Sequence, residues 1–455
     1  MATEKNSIDM VNGSLWGKIL KFSLLYMVTA LLQELYSAAD VLVVGRFAGD
    51  AALAGVGTCT VIVNFFINFI LGLSAGATIV LGQAIGAKNG EEISKVTHTS
   101  IATAIVCGLF VTLICQFFYS FLLGMIDVPG DIFPEASSYL RIVSLGFIPS
   151  LVYNFGASIL RAKGDTKRAL YIVMASGIIN VLLNLFFVCV LKMTASGVAM
   201  ATVISQIFTA VSILYLLCRE KDETRLVLKN IRIHRTAFLR VLRFGLPSGI
   251  QSSVYSASGM IVQASVNSFG KAAIAASSAV TSITNFYNVM VNSLYQASMV
   301  FTSQNFGARK FERIKKTIFV CMTYVVCIGI LQSFVTYFFG ESLVSLYVKG
   351  DPEVLGWGVR KLNTIGYTYA LLGFMNIMSG ALRGMGASFI NMVTSIVGVC
   401  GIRIVWIMTV FKTVGTIESL FLCYPVSWVG TMLLHVTMIV FVFRKNKAEF
   451  SPGHT

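Results

Sequence analysis

The chain reads as an all-α integral membrane protein: twelve transmembrane helices in two six-helix lobes related by a pseudo-two-fold along the membrane normal. Three observations predict this. Of 455 residues, 56% are hydrophobic and only 12% charged, with a mean hydropathy of +0.79, outside the composition of ordinary soluble domains. Apolar stretches long enough to cross a hydrocarbon core of roughly 30 Å recur between charge clusters along the whole length. The second half also repeats the first.

The apolar runs place six spans near 18–44, 54–82, 96–124, 136–160, 169–191 and 197–218, and six more near 238–267, 275–303, 316–340, 357–382, 389–411 and 415–443. An unpaired backbone polar group in lipid is costly, so each run must be helical; barrel strands would be shorter and would alternate in polarity. Pro149, Pro247 and Pro425 fall within spans 4, 7 and 12, where a missing N–H predicts kinks. Glycines four apart (Gly72 and Gly76, Gly380 and Gly384) predict close helix packing.

Lysine and arginine set the orientation, because short cytoplasmic loops collect them. With the N-terminus inside, 26 of the 35 fall on cytoplasmic segments, from Lys5 to Lys447. Arg46, Lys192, Lys271, Lys349 and Lys412 fall outside, and Arg141, Arg360, Lys361 and Arg403 lie in spans or near their outer ends. Both termini are therefore expected in the cytoplasm, with the chain a multi-pass protein of the cytoplasmic membrane. The net charge of +15 follows from these loop anchors facing anionic lipid, and no nucleic-acid partner is expected.

At an offset of 221 positions, Gly82-Gln83-Ala84-Ile85-Gly86-Ala87-Lys88 falls on Ser303-Gln304-Asn305-Phe306-Gly307-Ala308-Arg309, and Asn64-Phe65 on Asn285-Phe286. Leu160-Arg161 with Gly164 resembles Leu382-Arg383 with Gly386. One six-helix unit is used twice, giving an N-lobe at 1–236, which includes the charged linker, and a C-lobe at 237–455. An even number of spans per copy gives parallel repeats, a transporter pattern with a cavity between lobes.

Ionisable groups inside spans are functional candidates, since lipid tolerates them only beside water or a partner. Glu34 and Asp40, both in span 1, are the acids well inside a span; the second-half spans carry acid only at an outer end, Glu418. Helical spacing puts Gln33, Tyr36, Ser37 and Asp40 on one stripe, with Glu34 about 120° away. Asn64 and Asn68 in span 2, Asn180 and Asn184 in span 5, and Thr202 in span 6 are candidates to wet a cavity around Asp40; interhelical glue is their structural alternative. For Asp40 that alternative is a pair with Arg46. Arg403, in span 11, is a candidate for an anionic group on a substrate or for pairing within its bundle.

Catalytic signatures are absent. His98, His234, His435 and His454 are scattered, the nine cysteines form no CxxC pair, and no phosphate loop or nucleophile elbow occurs, so neither an enzyme, a metal centre nor a cofactor is expected. Without an ATP site, pumping calls for an ion gradient or another partner.

Three segments carry a family resemblance: Leu35-Tyr36-Ser37-Ala38-Ala39-Asp40 followed by Val44-Gly45-Arg46; Gly82-Gln83 with Gly86-Ala87; and Leu160-Arg161-Ala162-Lys163-Gly164-Asp165-Thr166. With their second-half counterparts they resemble the multidrug and toxic compound extrusion (MATE) family over nearly the whole chain, in the manner of bacterial members of the DNA-damage-inducible subgroup. The resemblance implies alternating access in a monomer and export of organic cations or amphipathic drugs against H⁺ or Na⁺. It also implies a coupling network of a span-1 aspartate, an Asn and an Asp on span 5 and a Thr on span 6. Asp40, Asn180 and Thr202 match, whereas Asn184 stands at the second acid, Leu25 at a frequent span-1 proline, and Glu34 where an amide is common. Glu34 is the candidate replacement for the missing acid. The competing expectations are a lipid-linked oligosaccharide flippase, whose diphosphate needs converging basic residues, and a non-transporting membrane sensor or scaffold.

Overall fold

The computed structural model describes residues 7–348 and 351–449; Lys5, Lys349 and His454 lie outside the described residues. Regular structure among the described residues is helical throughout, the outcome expected when every N–H and C=O must be paired within its own segment. The first half contains α1 (Trp16–Val43), α2 (Asp50–Gly86), α3 (Gly90–Gly124), α4 (Phe133–Leu145), α5 (Phe147–Lys163), α6 (Thr166–Leu185) and α7 (Ala195–Cys218). The second contains α8 (Arg235–Asn267), α9 (Lys271–Gly307), α10 (Phe311–Ser345), α11 (Pro352–Gly366) and α12 (Tyr369–Gly384), then an interrupted span at Ser388–Val414 and a last helix, Cys423–Glu449.

Among the described residues eight helical segments are long and apolar enough to cross a membrane, and ten when two bent pairs each count as one span. The bent pairs are α4 with α5 (42°) and α11 with α12 (46°). The other two expected spans, α8 and α9, are long but rich in Ser, Thr, Asn and Gln, which lowers their hydropathy without shortening them. The prolines expected in spans 4 and 12 sit just past breaks in those spans, Pro149 beyond the 42° bend between α4 and α5 and Pro425 beyond the break at Leu422. Pro149 and Pro425 sit in the first turns of α5 and of the last helix, where an N–H has no partner to lose, and only Pro247 lies well inside a helix.

The repeat is visible element by element. α2 and α9 both have 37 residues, α3 and α10 both have 35, and each pair starts and stops at the 221-residue offset read from the sequence. The turns match too: Lys88 and Arg309 take positive φ (53° and 56°), as do Gly164 and Gly386 (92° and 83°). In each matched turn the same two backbone bonds close the helix end, for example Lys88 N–H to Ile85 O and Arg309 N–H to Phe306 O, both at 3.0 Å.

The described residues divide into two compact units, 7–8 with 28–249, and 9–27 with those from 250 on. The second boundary falls within α8 rather than at 236, and the first half of α1 groups with the second unit, a division that composition does not reveal. In the first unit α5 is central, burying Leu151, Phe155, Leu160 and Ala157 against Leu81, Ile101, Ile213 and Leu217. α2 crosses α8 there at backbone contact. A Cβ on Gly72 would lie 2.4 Å from Gly249 Cα, and one on Gly76 2.3 Å from Val241 O.

In the second unit Phe22 and Phe301 meet edge to face at 5.9 Å, and Asn305 Nδ2 donates to Met10 O at 3.1 Å. Gly380 and Gly384 lie against the carbonyls of Tyr295 and Met299 on α9.

The segment after Cys218 is docked on the first unit. Lys163 pairs with Glu220 (2.6 Å) and with Asp222, and Arg168 pairs with Glu220 (2.5 Å) and Asp165. The carboxylates of Glu220 and Asp165 are fully covered. Partial burial pushes Asp222 up, but bonds from Lys163 and Thr224 outweigh it and hold the carboxyl below its ordinary range.

Candidate functional site

Asp40 lies in the last turn of α1, before the chain widens into a π-helical turn at Val44–Ala48 and reverses at Gly49 (φ 89°). This places the carboxylate against α6 and α7 inside the first unit. Asn184 Nδ2 donates to Asp40 Oδ1 and also to Asn180 Oδ1 at 3.2 Å. Thr202 Oγ1 lies 3.5 Å from Asp40 Oδ2 and 3.0 Å from Val198 O, so its single proton is divided between them. Asn180 and Asn184 are buried, and the four side chains form one cluster drawn from three helices.

Two features of the cluster matter chemically. Among the described residues Asp40 has no cationic partner, and Arg46, the alternative considered from sequence, is exposed and unpaired with it. Asn184 Oδ1 is buried and has no hydrogen-bond partner. A carboxylate only accepts, so Asn184 must present its NH₂ and leave its oxygen idle; a protonated Asp40 gains a donor that this oxygen can accept. The arrangement therefore offers two hydrogen-bond patterns, distinguished by one proton. An unpaired buried oxygen costs about 1–3 kcal/mol, which gives the protonated pattern something to recover.

Tyr36, one turn before Asp40, fixes α1 against α6. Its OH donates to Met174 O at 3.3 Å, and its ring fills the notch at Gly177, where a Cβ would come within 1.7 Å of Cζ. Tyr139, on α4, packs beside Val43 and Val44 at the end of α1, just past Asp40. Sequence reasoning found neither Gly177 nor Tyr139. A glycine in an apolar helix carries no local mark of the ring it receives, and Tyr139 lies about a hundred residues from Asp40.

The remaining candidates do not join this cluster. Gln33 and Glu34 are exposed on α1 and make no hydrogen bond or ion pair among the described residues; Glu34 does not approach Asn184, the position of the missing acid. Asn64 is exposed and Asn68 half-buried on α2, and neither bonds to Asp40 or its partners. Arg403 belongs to the second unit, where Nε donates to Ser427 Oγ at 3.2 Å and the guanidinium lies 4.6 Å from the Tyr424 ring centroid.

The other cations that a flippase would gather are engaged separately. Arg141 stacks on Tyr119, Arg360 pairs with Glu418 at 3.2 Å, and Lys361 donates to Ser277 Oγ at 2.6 Å. No group of three or more His, Cys, Asp or Glu side chains among the described residues could hold a metal ion.

Comparison with known proteins places these features in a family. "Probable multidrug resistance protein YoeA" of Bacillus subtilis is 27% identical over 98% of this chain and 97% of its own length. "Multidrug export protein MepA" of Staphylococcus saprophyticus is 21% identical over 97% of both. Among solved structures, one described as the "Outward-facing conformation of a multidrug resistance MATE family transporter of the MOP superfamily" superposes with a TM-score of 0.87. It is 21% identical and covers 96% of this chain and 97% of that one. The MatE family model matches twice, over residues 26–186 and 247–409, once in each copy of the repeat, and the chain belongs to the MatE family of multi-pass membrane transporters.

Proposed function

We propose that the protein is a secondary active exporter of small organic cations or amphipathic compounds, driven by exchange for H⁺ at Asp40. The observation that carries this reading is a membrane-embedded carboxylate with no cation beside it, held by Asn184 and Thr202, with an unpaired acceptor ready for its proton. The names of the relatives support the substrate class. Eighteen methionines and thirty-three phenylalanines supply the adaptable apolar surface that loosely specific pockets use. In this reading the protein acts as a monomer in the lipid bilayer with both termini in the cytoplasm, an orientation that the distribution of Lys and Arg supports.

Deprotonated Asp40 accepts from Asn184 and Thr202, tying α1 to α6 and α7. Proton uptake supplies an O–H; Asn184 then turns its carboxamide to accept it, giving up the Nδ2 bond to Asn180, and the tie is rebuilt with its polarity reversed. Transport follows if the inward- and outward-open arrangements differ in their affinity for that proton and for substrate, since a ligand shifts a conformational equilibrium only through such a difference. Na⁺ is the alternative ion, and the carboxylate and amide oxygens of the same cluster would be its ligands.

The test is flux in proteoliposomes under separately imposed proton and sodium gradients, with the parent protein and Asp40→Asn. The asparagine can pair with Asn184 in both directions, so it mimics the protonated pattern while keeping the fold. Proton-driven flux should fall to the leak rate. Unchanged flux in Asp40→Asn removes Asp40 from coupling, and flux driven only by sodium replaces H⁺ as the ion.

A further inference from the structure

Away from Asp40 and its partners, the first unit carries a polar cavity of about 310 Å³ between the start of α3 and the linker before α8; small-molecule sites begin at roughly this size. Its walls carry Lys95 from α3 and Lys229, Arg232 and His234 from the linker. The acid in the wall, Glu91, is tied to Lys95. Lys229 has no hydrogen-bond or ion-pair partner among the described residues, and Arg232 uses only Nε, toward His234 Nε2 at 3.2 Å, leaving the outer edge of its guanidinium open. Burial, and then the charges of Arg232 and Lys95, hold the His234 imidazole below its ordinary range, as expected in a locally positive field.

The rear of this cavity is built rather than incidental. His98 is buried and used at both nitrogens: Nδ1 faces Ser94 O at 2.8 Å, and Nε2 accepts from Val227 N–H at 3.0 Å. Thr99 accepts from His234 N–H at 3.2 Å. The linker is thus pinned to α3 along one edge, while Lys229 and the outer edge of Arg232 face an open space with no anion paired to them among the described residues.

We propose that this cavity binds a phosphate group, taken from an anionic lipid headgroup or from free phosphate, and that the bound group clamps the linker onto α3. The open edge of Arg232 and the unpaired ammonium of Lys229 suit the several oxygens of a phosphate, with Lys95 beside them already held by Glu91. The position at the end of a membrane span puts the cavity within reach of a headgroup. The proposal is independent of the exchange reaction at Asp40.

The experiment uses the full chain in nanodiscs and reads hydrogen exchange of residues 227–234 together with melting temperature. The arms are phosphatidylcholine alone, phosphatidylcholine with phosphatidylglycerol, and phosphatidylcholine with titrated inorganic phosphate. Each is run on the parent, on Lys229→Gln/Arg232→Gln, and on a charge-matched control in the same linker, Lys221→Gln/Arg225→Gln. Single Lys229→Gln, which alters one exposed side chain, serves if the pocket pair folds poorly.

Protection in the phosphatidylglycerol arm alone identifies a lipid headgroup, and protection by inorganic phosphate identifies a free ligand. In either case the pocket pair should weaken the response by at least about tenfold in apparent affinity, and the control should not. No protection in either arm, or equal loss in pocket and control variants, overturns the proposal.

Discussion

Substituting Gly177 by alanine tests the idea that a precise α1–α6 contact sets the geometry of Asp40. The added Cβ would lie 1.7, 2.0 and 2.1 Å from three carbons of the Tyr36 ring. Carbon atoms sit comfortably at about 3.5–4.0 Å, so the ring must retreat by roughly 1.5–2 Å. Such a retreat breaks the Tyr36 bond to Met174 O, already 3.3 Å long. Because Asp40 follows Tyr36 by one helical turn, it also carries the carboxylate out of reach of Thr202, 3.5 Å away.

Overpacking of this kind costs about 1–3 kcal/mol. We expect Gly177→Ala to lower the melting temperature by several degrees, at roughly 2–4 °C per kcal/mol for a unit of this size. Proton-driven flux in proteoliposomes should fall more than substrate binding does. Adding Tyr36→Ala vacates the notch and should restore most of the lost stability but not the coupling, since the α1 anchor is then gone. The measurement is a double-mutant cycle on melting temperature combined with flux. A single variant that melts and transports like the parent, or a pair that shows no recovery of stability, refutes the reasoning.

Glu34→Gln should leave proton-driven flux and melting temperature unchanged, because the side chain is exposed and meets no described partner; a loss of flux would give Glu34 a coupling role. Gly76→Ala puts a methyl 2.3 Å from a backbone oxygen of α8 and should destabilise by about 1–3 kcal/mol, read as a lower melting temperature. Asp222→Asn should reduce stability at neutral pH. A carboxyl held low by its partners is protonated in the unfolded chain before the folded one, so its contribution is present above the ordinary carboxylate range and lost as the pH falls through and below it. The melting gap between Asp222→Asn and parent should accordingly close on acidification, and a gap independent of pH would contradict the ion-pair account.

Much of this architecture was legible in the residues. Lipid leaves the backbone one affordable solution, so apolar runs become helices, and the duplicated segments predicted matched elements that the structure repeats even to the sign of φ at Lys88 and Arg309. Asp40 stood out because charge in a membrane span requires a reason, and its helical phase made Tyr36 its neighbour on the stripe. Helical phase by itself does not tell which faces meet. Gln33 shares the stripe yet remains exposed, while Asn184, 144 residues from Asp40, closes on it.

Secondary structure and repetition were thus determined by local chemistry, the balance between backbone hydrogen bonding and apolar side chains over one or two dozen residues. The pairing of α1 with α6 and α7, the notch at Gly177, the assignment of the first half of α1 to the second unit and the stapling of the linker to α3 were decided by packing. Shape complementarity between surfaces remote in sequence fixes such contacts, and no periodicity along the chain records it.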